Sequence, residues 1–102
     1  MIGVYKIVNK INGKMYIGAS VDVGRRRIEH FKPSRVEMFK DRLPLYEAID
    51  KYGKENFTFE VIEETTLEKL EEREEYYINK FNTVEHGYNV VKTSHNMRDE
   101  DY

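Results

Sequence analysis

Two short runs rich in β-branched and aromatic residues, Ile2 to Val8 and Met15 to Ser20, flank the dipeptide Asn12-Gly13, and this arrangement constrains the fold more than any other feature of the chain. Asn-Gly suits the positive-φ positions of a type I′ turn, which joins antiparallel strands directly. A two-residue turn pairs Ile11 with Lys14, Asn9 with Tyr16, Ile7 with Gly18 and Tyr5 with Ser20, so Tyr5 and Tyr16 share one face of a hairpin. Gly18 lies on that face diagonal to Tyr5, and a glycine inside a strand often marks close approach of a ligand. The hairpin is either a groove flanked by two phenols or a pair of half-buried core tyrosines beside a glycine bulge.

Downstream, Asp22 caps a helix to about Phe31, which Pro33 stops; Pro44 opens a second helix, Leu45 to Tyr52, closed by Gly53. Lys32 to Leu43 reads as a polar, basic connection. From Asn56 to Ile62, Phe57, Phe59 and Val61 alternate with Thr58 and Glu60, the period of a third strand with one buried face. Thr65 or Thr66 caps a long helix to about Phe81, and His86-Gly87 turns the chain into Tyr88 to Val91. The outline is α+β, one small domain over residues 1–92 followed by a polar, flexible tail over 93–102.

The absence of cysteine excludes thiolate sites, so any metal is held by carboxylate, imidazole, amide or water. Lys6 interrupts the first apolar stretch far too early for a signal peptide or a membrane span, and a soluble, cytoplasmic protein is expected. A net charge of −2 conceals an asymmetry: residues 1–54 hold 12 Lys and Arg against 6 Asp and Glu, whereas residues 55–102 hold 5 against 13. A basic half suits a polyanion, although ordinary solvated charge produces the same asymmetry.

Projected at about 100° per residue, the long helix gathers Leu67, Leu70, Tyr77, Ile78 and Phe81 into one sector, with Glu74 near its middle. Glu68, Glu72 and Glu75 point elsewhere. A carboxylate on an apolar stripe calls for a metal ion, an arginine partner or an edge that reaches solvent. On the first helix, Arg26 and His30 lie one turn apart and form a phosphate-facing pair, while Arg25 and Glu29 face away. An arginine triplet at 25–27 is also what a merely solvated face looks like.

Taken together, Gly3-Val4-Tyr5, Tyr16-Ile17-Gly18, Arg26, Pro44-Leu45-Tyr46 to Lys51-Tyr52-Gly53, Glu74-Glu75-Tyr76-Tyr77-Ile78 and Gly87-Tyr88-Asn89 resemble, in order, the motifs of the GIY-YIG nuclease family. The branch it looks most like is that of intron-encoded homing endonucleases and small phage proteins. The resemblance implies a three-stranded antiparallel sheet flanked by helices, and hydrolysis of DNA phosphodiester bonds with one divalent cation, magnesium, for which manganese can substitute. Tyr5 is then general base or orients the attacking water, Tyr16 holds the water or the scissile phosphate, Arg26 neutralises the transition state, and Glu74 binds the metal. Asn89 buttresses the site, with Lys14 and His30 in support. Arg25, Arg27, Lys32, Arg35, Lys40 and Arg42 are the expected DNA contacts, and a monomer with no small-molecule cofactor is expected.

Two departures stand out. Val4 replaces the commoner isoleucine, a conservative strand substitution. Many homing relatives place a histidine in the connection after the first helix; Lys32 to Leu43 has none, so Lys40 or Arg42 takes over as a phosphate contact or the role is missing. The competing readings are a non-cleaving nucleic-acid-binding domain with a nuclease-like fold, a repair-type nicking nuclease, and a protein-interaction domain using the acidic helix.

Overall fold

A computed structural model describes residues 1–90. Three strands form one antiparallel sheet in the order β2-β1-β3, with β1 at Gly3–Asn9, β2 at Met15–Ser20 and β3 at Phe57–Glu64. Helices α1 (Val23–His30), α2 (Pro33–Phe39) and α3 (Pro44–Tyr52) lie between β2 and β3 in the chain; α4 (Leu67–Phe81) and the short α5 (Thr83–His86) follow. The expected tail over 93–102 and the last two residues of the expected domain lie outside the described residues.

The hairpin keeps its face but not its register. Ile7 pairs with Tyr16 and Tyr5 with Gly18, two residues away from the pairing a two-residue turn dictates. Lys10 to Gly13 instead make a four-residue loop, stabilised because the Asn9 and Asn12 carboxamides accept the backbone N–H groups of Ile11 and Lys14, each at 2.9 Å. Gly13 adopts a φ of 78° there. A shift of two preserves side-chain direction in a strand, so Tyr5 and Tyr16 still share a face, with Gly18 now directly opposite Tyr5.

Pro33 does more than end α1. Its fixed φ and missing N–H suit the first turn of a helix, and residues 33–39 form α2 where a polar connection is expected. In β3 the alternation breaks: the register against β1 shifts between Val4 and Tyr5, Val61 is 38% exposed, and Ile62 turns to the opposite face. After α4, Asn82 takes the left-handed conformation and α5 follows; Tyr88 and Asn89 then meet β2 without forming a strand.

The sheet lies between two apolar layers. Tyr5 and Ile7 pack with Val23 of α1, Leu45, Tyr46, Ala48 and Ile49 of α3, and Phe57 of β3. Val4, Ile17 and Ala19, on the other face, pack with Leu70 and Ile78 of α4. Each large apolar side chain removed from water contributes roughly 1.5–3 kcal/mol, which holds α4 to β1 and β2. Leu67, placed on the apolar stripe by the helical projection, is the first residue of α4 and is 58% exposed. Arg73 and Tyr77 of α4 also bind Glu63 of β3, the arginine through contacts of 2.8–3.1 Å and the phenol through a 2.8 Å hydrogen bond.

Candidate active site

Asp22 accepts the Arg25 N–H at 3.1 Å and so starts α1 at the residue that sends Arg26 and His30 inward, with 4% and 1% exposure. His30 meets both hairpin tyrosines: Tyr5 Oη is 2.6 Å from Nε2, and the Tyr16 ring lies 5.6 Å away, edge to face. His30 Nδ1 is 2.8 Å from the hydroxyl of Tyr46 on α3, which in turn accepts the Arg35 Nε–H of α2 at 2.8 Å. Three helices and the hairpin thus converge on one buried aromatic and cationic cluster.

Gly18 makes room for it. A Cβ at that position would fall on the Tyr5 phenol, 2.8 Å from Cε1 and nearer still to Cζ and the hydroxyl oxygen. The ring lies over the β2 backbone only because no side chain rises from it. Phe59 stacks against Tyr5 at 4.6 Å and 21°, fixing the ring from the β3 side.

Burial opposes the Arg26 charge, but Tyr5, the Glu29 hydrogen bond, Tyr16 and Tyr46 together outweigh it, and the guanidinium is held above its ordinary pKa. Glu29, which the helical projection turns away from Arg26, reaches it at 3.0 Å and Arg25 at 2.9 Å. Desolvation disfavours the Glu29 carboxylate, yet hydrogen bonds from Arg26 and Arg25 keep it below the usual range. Burial pushes the Tyr46 phenol up despite the Arg35 charge, so Tyr46 keeps its proton near neutral pH.

Other expected site residues lie in different places. Lys14 is exposed at the hairpin loop, about 13 Å along the strand from Gly18, and does not enter the cluster. Asn89 binds the outer edge of β2, accepting the Ile17 N–H at 2.8 Å and donating to the Ile17 carbonyl at 2.9 Å; this holds the strand between Tyr16 and Gly18 in place. Glu74 stands on α4 between Leu70 and Ile78, at 0% exposure, on the helix that covers the opposite face.

Among the described residues Glu74 is the only buried acidic side chain, and no three His, Asp or Glu side chains gather into a metal cage. That donor set fits a hard cation such as magnesium, which keeps several waters and binds one or two carboxylates plus phosphate oxygens.

Of the expected DNA contacts, Arg27, Lys32 and Arg42 are exposed, Arg25 is half-buried against Glu29, and Lys40 pairs with Glu37 at 3.1 Å. Arg42 lies over the Phe39 ring at 5.2 Å. Arg35, not Lys40 or Arg42, is the cation that the segment after α1 sends to the cluster. Tyr46 is the site member that residue-by-residue reading passed over. Beside Tyr5 a groove of about 430 Å³ opens, lined by Arg27, Phe31, Lys54, Phe57, Thr58 and Phe59, two cations and three aromatics with no carboxylate.

With this geometry in hand, known proteins give a consistent match. The family model of the GIY-YIG catalytic domain fits residues 1–89. Intron-associated endonuclease 1 of Enterobacteria phage T4 is 32% identical over 91 residues, covering 87% of this chain and 36% of the phage protein. Probable intron-encoded endonuclease 1 of Neurospora crassa is 34% identical over 87 residues, covering 78% of this chain and 27% of the fungal protein. The chain therefore spans about a third of the length of these relatives. The catalytic domain of intron endonuclease I-TevI superimposes with a TM-score of 0.79 in a mutant form, at 27% identity over 91% of this chain and 96% of that one. A second structure of that domain gives 0.76 at 27% identity over 89% and 99%. No helix among the described residues is long and apolar enough to cross a membrane.

Proposed function

The chain belongs to the GIY-YIG catalytic domain family, and from that premise we propose that it is a DNA endonuclease domain that hydrolyses phosphodiester bonds with one divalent cation, magnesium or manganese. The observation that carries this reading is the convergence of Tyr5, Tyr16, Arg26 and His30 around one point.

Phosphodiester hydrolysis asks little covalent chemistry of a protein, and most of the acceleration can come from positioning and charge. Tyr5 takes the proton of the attacking water, or orients that water. A free phenol is a poor base near neutral pH, and the Arg26 guanidinium is the cation placed to offset negative charge that gathers at the Tyr5 oxygen during the reaction. His30 Nε2 lies 2.6 Å from the same oxygen and helps to stabilise it. Tyr16 holds the water or the scissile phosphate, and Arg26 offsets the charge that grows on the phosphoryl oxygens. Asn89 keeps β2 in place, and Glu74, the one buried carboxylate among the described residues, would hold the cation. When bound, that cation supplies Lewis-acid activation of the phosphate and of the leaving oxygen.

A substrate strand crossing the cluster reaches the groove at Arg27 and Lys54, where its phosphates meet cations and its bases meet phenylalanine rings. Phosphate contacts and stacking carry little base information, so the domain alone cuts with weak sequence preference. A plasmid-nicking assay with Mg²⁺, repeated on Glu74→Ala, tests the reading. The expected result is metal-dependent cutting by the parent and none by the variant. A parent that binds DNA and never cuts it establishes the non-cleaving alternative instead.

A further inference from the structure

We propose that Arg35 and Tyr46 are positioning residues that fix the tautomer of His30, with Nδ1 bare and the proton on Nε2, so that His30 donates to the Tyr5 oxygen. The consequence for cleavage rests on the nuclease reading above; the tautomer does not.

The argument is one of hydrogen counting along a chain of three contacts: Arg35 Nε to Tyr46 Oη at 2.8 Å, Tyr46 Oη to His30 Nδ1 at 2.8 Å, and His30 Nε2 to Tyr5 Oη at 2.6 Å. Arginine has donors and no acceptor and does not lose its proton, so the first contact has a single direction. Tyr46 is 4% exposed and, among the described residues, its hydroxyl has these two polar partners. Its one hydrogen can be accepted only by His30 Nδ1. Were Nδ1 protonated, in the other neutral tautomer or in imidazolium, the Tyr46 oxygen would face two donors and its own hydrogen would have no acceptor, a costly state for a buried hydroxyl. Placing the proton on Nε2 satisfies every group. An arginine on α2 thereby sets the direction of a chain that ends on the hairpin.

The direction matters at Tyr5. With Nε2–H donating, the Tyr5 oxygen accepts, its own proton is turned toward the site, and a phenolate formed there keeps a hydrogen-bond donor. With the opposite tautomer, the Tyr5 hydroxyl would donate to a bare Nε2, and a phenolate formed there would lose that donor.

Long-range ¹H–¹⁵N NMR of the His30 imidazole in the intact chain reads the tautomer without substrate. The parent is expected to show protonated Nε2 and bare Nδ1 near neutral pH. Tyr46→Phe, which keeps the ring, and Arg35→Met, which keeps the aliphatic stem, are each expected to move His30 toward Nδ1–H, with amide dispersion unchanged. On DNA both variants are expected to lose on the order of tenfold in kcat with KM nearly constant. An Nδ1–H or imidazolium signal in the parent, or a tautomer unchanged in both variants, would overturn the proposal. A rise in KM at constant kcat in Arg35→Met would also overturn it, making Arg35 a phosphate contact. Absence of cutting by the parent with the NMR response intact refutes the nuclease reading and leaves the tautomer assignment standing.

Discussion

On one face of the sheet, under α1 and α3, buried polar atoms are numerous and joined to each other: Tyr5, His30, Tyr46 and Arg35 form a continuous series of contacts, beside Arg26 bound to Glu29. On the other face, under α4, the packing is nearly all apolar, Val4, Ile17, Ala19, Leu70 and Ile78, and Glu74 is the one buried acid among the described residues. The two faces use the same strands, and alternate residues of β1 and β2 serve them in turn. The difference teaches which property each face controls. Truncating a side chain under α4 removes stability first; removing a polar atom under α1 and α3 removes chemistry first. Glu74 tests the rule, as a residue on the stability face assigned to the chemistry.

The largest expected effect is on the polar face. Tyr5→Phe removes one oxygen from the cluster and should lower kcat by roughly 10²–10⁴, the usual range for a general base, with the chain still folded by circular dichroism. A loss of fold in place of activity would break the division between faces. Next, Leu70→Ala under α4 should cost about 2–5 kcal/mol in denaturant unfolding while kcat of the folded fraction stays constant. A smaller change is expected at the groove, where Arg27→Gln with Lys54→Gln should raise KM by about tenfold, reduce the salt dependence of binding and leave kcat unchanged.

The smallest effect compares one carboxylate from each side. Glu29, held by Arg26 and Arg25, and Glu63, held by Arg73 and Tyr77, both sit below their ordinary value of 4.5. Their stabilisation is therefore complete above that value and is lost as pH falls through the lowered folded-state values. Because both are partly exposed, the loss should amount to less than about 1 kcal/mol each. Acid unfolding of Glu29→Gln and Glu63→Gln should each flatten the pH dependence in that window. Only Glu29→Gln should also lower kcat, since it alone contacts a residue of the cluster.

The parts legible in the sequence were those governed by local period. Tyr5 and Tyr16 share a face in either register, because the true pairing differs from the expected one by an even number of residues. Glu74 between Leu70 and Ile78 follows from the helical angle alone. What local reading missed depends on contacts distant in the chain. Pro33 has two meanings, the end of one helix or the first turn of the next, and the packing of Val36 and Phe39 against the core selects the second. Tyr46 stood in the sequence only as part of the Pro44-Leu45-Tyr46 motif, and Arg35 only as one of six expected DNA contacts; each meets the cluster only where α1, α2 and α3 come together at His30. The hairpin loop grew from two residues to four because Asn9 and Asn12 side chains bind its N–H groups, an option Asn-Gly statistics do not contain.

Asn89 has a consequence beyond holding β2. An outer strand offers a row of unpaired backbone groups to any passing chain, and proteins prevent such edge-to-edge association by covering or charging their edges. Here a single carboxamide takes both backbone groups of Ile17, and the Tyr88 N–H takes the Met15 carbonyl at 3.0 Å, so a few residues act as a substitute strand. Shortening the chain to residue 86 leaves every element of the sheet present but uncovers that edge. Such a fragment should be prone to self-association through β2, visible as concentration-dependent light scattering, even where its helices remain intact.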